Sequence, residues 1–326
     1  MKVRVAALAA LALCVTLAAL QSRAAESYPS RAVKIITPFP AGSGPDAVVR
    51  MVAEKLNRAW GKPVIVDNRP GANGFIALTL ARNSPPDGYT LVQASNAQLT
   101  THTLIYHHLP YDPVKDFAPI TPLFRNSFFV VVGVNSPYKN AGELIAAAKS
   151  KPGSIAYGSE FVGSPGHLGA LMLGSAADVQ MVHVPFKETT QLFSALANNE
   201  VTWAFSSAAT ANSALLAGRV KLLAVGMRAR LPAYPDVPTV AESGGPAGFT
   251  LDAWTALLAP QGTPPSIVAQ INQAVAAALG EADIRQRLVT FGYETWPLAP
   301  ADMKSTLEAE TGRYAGIIRS ANISFD

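Results

Sequence analysis

The chain has 326 residues, too many for a typical single domain and about right for two units of ~150 residues each. Hydrophobic residues make up 49% and charged residues only 15%, which excludes an intrinsically disordered chain. The formal net charge is +4, yet there is no run of Lys and Arg and no basic stripe interleaved with aromatics, so nucleic acid is not an expected partner.

The N-terminus carries a targeting pattern. Lys2 and Arg4 form a positive start, Val5 to Leu20 an uncharged apolar run of 16 residues, and Ser22-Arg23-Ala24 a cleavage site with small residues. Residues 1–24 read as a secretory signal peptide. The run is short for a membrane span, which needs ~20 residues. Leu13 before Cys14 is not the small residue a lipoprotein signal uses. Cleavage removes Cys14, the only cysteine, so the mature chain has no disulfide, thiolate nucleophile or thiolate metal site. Removing Lys2, Arg4 and Arg23 from the 26 basic residues leaves 23 against 22 acidic ones, a net charge of +1. Export places the protein in the periplasm.

Beyond the signal, strand-like and helix-like segments alternate. Val33 to Thr37 reads as a strand and Asp46 to Trp60 as a helix, with Val49, Val52, Ala53 and Leu56 on one face and Gly61 ending it. Val64 to Val66 and Thr90 to Val92 are further strands. A second series runs through strand Phe128 to Val132, helix Ala141 to Lys149, strand Ser154 to Tyr157, helix His167 to Ala177 and strand Met181 to Val184. Helix Thr189 to Ala197, strand Val201 to Phe205, helix Thr210 to Leu216 and strand Val220 to Val225 follow. Long helices close the chain: Pro265 to Leu279, with a stripe of Ile267, Ile271, Val275 and Leu279, then Asp283 to Thr290 and Ala301 to Ser320. The alternation predicts an α/β fold with a mainly parallel sheet. Pro/Gly-rich stretches at Thr121 to Ser127 and Ser243 to Gly248 read as crossings between two lobes, 25–125 plus 247–326 and 126–246.

Two loops stand out. Pro38 to Asp46 joins a strand end to a helix start through Ala41, Gly42, Ser43 and Gly44, with Pro45 in the first helical turn. Small residues let the backbone approach a ligand, and the free N–H groups and dipole of a helix start favour an anion. Ligands of open α/β sheets bind at this end of the strands. Asp46 reads as a first-turn cap as much as a ligand contact. Gly42-Ser43-Gly44-Pro45-Asp46-Ala47 also imitates a dinucleotide fingerprint with Asp67 ahead. Pro38 and Pro40 separate its glycines from the strand, and export removes it from the nicotinamide pool, so no cofactor is expected.

Tyr157 to His167 repeats the design with Ser159, Gly163 and Ser164. The two helix starts, one per lobe, would grip a carboxylate across a cleft without arginine. His167 either donates a hydrogen bond there or is structural. Ser95, Lys187 and Ser206 also lie at strand ends, as site walls or as plain loops. There is no G-x-S-x-G elbow, H-E-x-x-H or phosphate-loop lysine, so no catalytic residue is assigned. His102, His107 and His108 lie near Pro110 in what reads as a solvated connection, so no metal is expected.

A series of short motifs runs the length of the chain: Tyr28-Pro29-Ser30, Pro38-Phe39-Pro40 with the glycine loop and Asp46, Asn68-Arg69-Pro70-Gly71-Ala72 and Pro86-Asp87-Gly88-Tyr89-Thr90. Leu109 to Phe117, His183-Val184-Pro185-Phe186-Lys187, Pro235-Asp236-Val237-Pro238-Thr239 and Ala259 to Pro265 continue it. In this order they resemble the extracytoplasmic receptors of tripartite tricarboxylate transporters, the Bug or TctC-like receptors. The resemblance implies a type II-like periplasmic-binding-protein fold, two lobes with a hinge, and no enzymatic activity. It implies capture of a small carboxylate, a di- or tricarboxylate or an aromatic acid, by the two strand–helix loops, through residues including Phe39, and delivery to the membrane subunits of a transporter. A monomer is expected. A receptor that signals to a membrane kinase and a secreted hydrolase are the alternatives. The first loop departs from the family's Gly-Gly-Ser-Thr-Asp, Glu188 stands where the family has Gly, and Ser206 where it often has Asp. The last change argues for a plain carboxylic acid over an amino acid.

Overall fold

The computed structural model describes residues 28–159, 164–186 and 188–320. The signal segment 1–24, Gly163 and Lys187 lie outside the described residues.

Strand β1 (Val33–Thr37) leads into helix α1 (Gly44–Trp60). Val49, Val52, Ala53 and Leu56 form the buried stripe of α1, Ser43 caps its start, and Gly61 ends it in the left-handed region at φ 60°. Next come β2 (Val64–Asn68), α2 (Phe75–Arg82), β3 (Thr90–Ser95) and the short helices α3 (Asn96–Leu99) and α4 (His102–Ile105). The 17-residue β4 (Phe117–Gly133) carries the chain onward to α5 (Ala141–Ser150), β5 (Ala156–Ser159), α6 (Pro165–Ala177) and β6 (Val182–Pro185). Helix α7 (Thr189–Ala197), β7 (Trp203–Ser207), α8 (Ala208–Leu216) and β8 (Val220–Val225) complete this half. The chain returns along β9 (Asp252–Pro260) to α9 (Pro265–Gly280), α10 (Ala282–Thr290), β10 (Tyr293–Glu294) and α11 (Pro300–Ser320).

The strand order is β2-β1-β3-β9-β4-β7-β5-β6, with β8 and β10 also on β4. The first part of β4 pairs with β9 and the rest with β7 and β8, so one strand belongs to both half-sheets. Pairings of β1 with β2 and β3, and of β5 with β6 and β7, are parallel. Every pairing of β4 and β9 is antiparallel. The mainly parallel expectation therefore fails at the centre, because a chain that leaves along β4 and returns along β9 must reverse direction. The stretch Thr121 to Ser127, read as a crossing between lobes, is the middle of β4. Pro119 and Pro122 are accommodated where the register to β9 shifts, next to each proline.

Each half-sheet is covered on both faces. In the first, Val33, Ile35 and Leu91 pack against α1 and α9, and Ile36, Val92 and Leu258 against α2 and α11. In the second, Phe129 and Val131 meet α7 and α8, and Val130, Trp203 and Phe205 meet α5 and α6. Helix α11 spans the two cores: Met303 and Leu307 sit in the first, Tyr314 and Ile318 in the second. His107 and His108 are exposed as a solvated connection requires, but His102 is not. Its ring stands edge-on to Phe75 and Tyr106 in α4, and burial pushes its pKa down to about 4. This is a two-lobed α/β architecture with β4 and β9 crossing between the halves.

Candidate functional site

Strand directions decide which loops can meet. β9 lies antiparallel to both β3 and β4, so β1 and β3 run the same way as β4, toward the second half-sheet. β7 is antiparallel to β4, and β5 and β6 follow β7, so these three run toward the first half-sheet. The carboxyl ends of β1 and β3 therefore oppose those of β5, β6 and β7. Each of β1, β3, β5 and β7 leads into a helix capped by a serine: Ser43, Ser95, Ser164 and Ser207.

The first junction is held by charge. Gly42 turns the chain at φ 82° and donates its N–H to Asp46 Oδ2 at 2.8 Å. Asp46 is 1% exposed. Its carboxylate also accepts from Arg50 Nε at 3.0 and 3.1 Å and from Asn68 Nδ2 at 2.7 Å. Burial pushes the Asp46 pKa up, but the donors from Arg50, Asn68 and Gly42 outweigh it and hold the group below the usual carboxylate range. Asn68 Nδ2 also reaches the Phe39 carbonyl at 2.9 Å. Asp46 is thus the loop's anchor, with its oxygens turned to the loop itself. Ser43 Oγ donates to the Pro40 carbonyl at 2.7 Å and accepts from the Asp46 N–H at 3.4 Å. Ala41 and Gly42 form the exposed crown.

The second junction is held by rings. Ser159 Oγ and His183 Nε2 are 2.7 Å apart. His183 stacks on His167 at 4.0 Å and on Tyr157 at 5.1 Å. Burial, with His183 alongside, pushes the His167 pKa down to about 4, so the ring is neutral at pH 7 and brings no cation to the site. Ser164 accepts the His167 N–H at 3.3 Å. Ser159, Ser164 and His167 are all buried.

The walls are capping residues too. Ser95 and Gln98 form a reciprocal capping box, with the Ser95 N–H donating to Gln98 Oε1 at 2.8 Å. Ser206 is buried, and its hydroxyl donates to the Ser207 carbonyl at 3.4 Å. Ser207 Oγ accepts the Thr210 N–H at 3.0 Å.

A cavity of about 570 Å³ opens between the halves. Gly42, Ser43, Gly44 and Ala47 form one wall, Ala208, Ala209, Thr210 and Asn212 the other, with Gly292 and Tyr293 behind. The glycine loop thus faces the start of α8, whereas the sequence pairs it with the loop before α6. Phe39, Ala41, Ser95, Ser159, Ser164, His167 and Ser206 do not line this cavity. The sequence starts α8 at Thr210, after Ser206-Ser207 at a strand end; the structure starts it at Ala208, capped by Ser207. Tyr293 escapes sequence reading because β10 has only two residues.

The family described as tripartite tricarboxylate transporter family receptor matches residues 48–323. A UPF0065 protein encoded between tcbD and tcbE in Pseudomonas sp. strain P51 is 31% identical over 95% of this chain and 92% of its own. R. palustris Rpa4515, solved with adipate, has 31% identity and a TM-score of 0.75, covering 91% of this chain and 99% of its own. MatC from Rhodopseudomonas palustris, solved with bound malate, has 30% identity and a TM-score of 0.70, covering 89% and 100%. With its crossing strands and opposed helix starts, the chain belongs to the TctC family of tripartite tricarboxylate transporter receptors.

Proposed function

We propose that the protein is a periplasmic receptor that captures a small aliphatic dicarboxylate and presents it to the membrane subunits of a tripartite tricarboxylate transporter. The observation that carries this reading is the set of serine-capped helix starts placed by strand direction on both sides of one gap. The starts of α1, α6 and α8 supply N–H groups and positive dipole ends, a natural match for carboxylate oxygens. Adipate and malate in related proteins point to the same ligand class. The lobes are 25–125 plus 247–326 and 126–246, with β4 and β9 as the hinge and α11 laid across both. An anion settles on one lobe, the other swings in, and closure is favoured only as far as the ligand binds the closed form better. The protein works as a monomer and binds without turnover. No carboxylate is in the lining of the first cavity among the described residues, so an ammonium group finds no partner there and the ligand carries no amino group.

Calorimetric titration with adipate, malate and aspartate tests this. Saturable binding of a dicarboxylate, with aspartate at least tenfold weaker and the acid recovered unchanged, is the expected result. Tight aspartate binding sinks the ligand class, and no response to any dicarboxylate sinks the receptor reading.

A further inference from the structure

A second cavity, of about 550 Å³, shares no lining residue with the first. β10 and β8 pair with β4 directly, Glu294 opposite Arg125 and Val225 opposite Phe129, and β10 borders both cavities, with Tyr293 in the lining of the first and Glu294 in that of the second. Its walls come from both halves of the molecule: Arg125 on β4, Glu294 and Trp296 after α10, and Glu310 and Arg313 on α11, against the loop Met227 to Pro232.

Four guanidinium groups line it: Arg125, Arg228, Arg230 and Arg313. Their local compensation is incomplete. Arg125 pairs with Glu294 at 3.0 Å, and Arg230 with Glu242 at 3.0 Å. Arg313 donates to the Thr250 hydroxyl at 2.6 Å, a neutral partner. Arg228 has no ion pair or hydrogen bond among the described residues, and both Arg228 and Arg313 are exposed. Glu310, the other carboxylate of the lining, is turned inward, accepting from Asn96 Nδ2 at 2.6 Å and Trp254 Nε1 at 2.8 Å. The half-buried Trp296 adds an aromatic surface, with the Arg125 guanidinium 5.7 Å from its ring.

We infer that this hinge-side cavity is a second anion site, for a small organic or inorganic anion with two or more acidic groups. Planar guanidinium forks match carboxylate and phosphate oxygens two at a time, and the volume is that of a small-ligand site. Arg228 and Arg313 approach from different halves of the chain, so one doubly charged anion would bridge them. The first cavity, in contrast, offers main-chain N–H groups and a single guanidinium, Arg287.

The test is titration of the full-length mature protein with pyrophosphate and, separately, citrate at low salt, read by intrinsic tryptophan fluorescence. Of the four tryptophans, Trp203 and Trp254 are buried and Trp60 packs edge-on to Tyr28, so Trp296 is the one in the lining of this cavity and its reporter. The expected result is saturable quenching that weakens at least tenfold in the double variant Arg228→Ala/Arg313→Ala and persists in Gly42→Val, a change in the lining of the first cavity. Preference for pyrophosphate assigns phosphate chemistry, and preference for citrate carboxylate chemistry. No saturation at millimolar anion, equal affinity in the double variant, or loss of the signal in Gly42→Val overturns the inference. Should dicarboxylates fail to bind while pyrophosphate still titrates, the cleft reading falls alone.

Discussion

The two long junctions that face the gap share a plan and differ in what holds them. Before α1, a buried carboxylate ties Gly42, Arg50 and Asn68 together. Before α6, Tyr157, His167 and His183 stack, and no carboxylate takes part among the described residues. The Cβ positions differ as well. An alanine methyl at Gly44 would meet the Tyr293 side chain, whereas at Gly166 it would sit 2.8 Å from the Phe205 carbonyl oxygen. What the two have in common is a serine cap and a free helix start. The shared element is therefore backbone geometry, with the side chains serving as two unrelated ways of fixing it, and conditions that loosen one should spare the other.

The largest effect is expected at the charged anchor. Asp46→Ala takes away the carboxylate acceptor shared by the Asn68 amide, the Gly42 N–H and the Arg50 guanidinium, leaving Asn68 the Phe39 carbonyl and Arg50 the Asn68 Oδ1. Losing the charge-assisted hydrogen bonds of a buried carboxylate costs about 2–3 kcal/mol in stability. Denaturant unfolding should show that loss, and dicarboxylate affinity should fall at least tenfold because the Gly42 crown is no longer fixed. The matching change in the other lobe, Tyr157→Phe, keeps the ring stack and should lose under half as much. Equal losses would mean that the carboxylate is not the anchor.

Proton concentration separates the junctions next. The His167 pKa is pushed from 6.5 to about 4. The unfolded chain therefore binds a proton that the folded one refuses, and stability drains away as pH falls from about 6.5 to 4, by roughly 2–3 kcal/mol. His102 in the first lobe drops to the same value by burial and adds to this slope. Asp46 behaves differently. Its pKa is lowered, so its contribution is intact throughout that window and is lost only as acid approaches the carboxylate range. Melting followed from pH 7 to 3 should show two stages, and His167→Gln should flatten the first. A single transition below pH 4, unchanged by that substitution, would contradict the ring-stack account.

How much of this was written in the sequence follows from what each contact depends on. Helix α1 was legible because Val49, Val52, Ala53 and Leu56 repeat with helical spacing between Pro45 and Gly61, all local signals. The glycine loop was legible for the same reason. β9 was not, because its buried run Ala256-Leu257-Leu258-Ala259 fits a helix as well as a strand covered on both faces. The middle of β4 was hidden by Pro119 and Pro122, which only the register shifts against β9 make tolerable. In the candidate site, the anchoring role of Asp46 needed Asn68, 22 residues away, and the facing wall at Ala208 needed the strand directions of a completed sheet.

The glycine pair gives the third contrast. Gly166→Ala drives a methyl against a main-chain carbonyl that belongs to β7 and has nowhere to go, so a loss of about 2 kcal/mol is expected. Gly44→Ala presses on the Tyr293 ring, which stacks on Phe124 at 4.2 Å and can shift, so the loss should stay near 1 kcal/mol. The ligand measurement should run the other way. Gly44 lines the 570 Å³ cavity and Gly166 does not, so the milder substitution should weaken binding more. Parallel ordering of the two readouts would remove that cavity from the binding site.

The smallest differences belong to the caps. Ser43→Ala and Ser164→Ala each delete a side-chain acceptor at a helix start, worth about 1 kcal/mol in either lobe. Both hydroxyl groups already point at their own helices, toward the N–H groups of Asp46 and His167. A ligand that binds exposed main-chain N–H groups loses no direct contact when the serines go, so its affinity should change less than about threefold, under ~1 kcal/mol. A tenfold loss in Ser43→Ala, with stability barely altered, would show that the hydroxyl itself is a ligand contact. It would also mean that the first junction recognises its guest by a side chain and only the second by backbone alone.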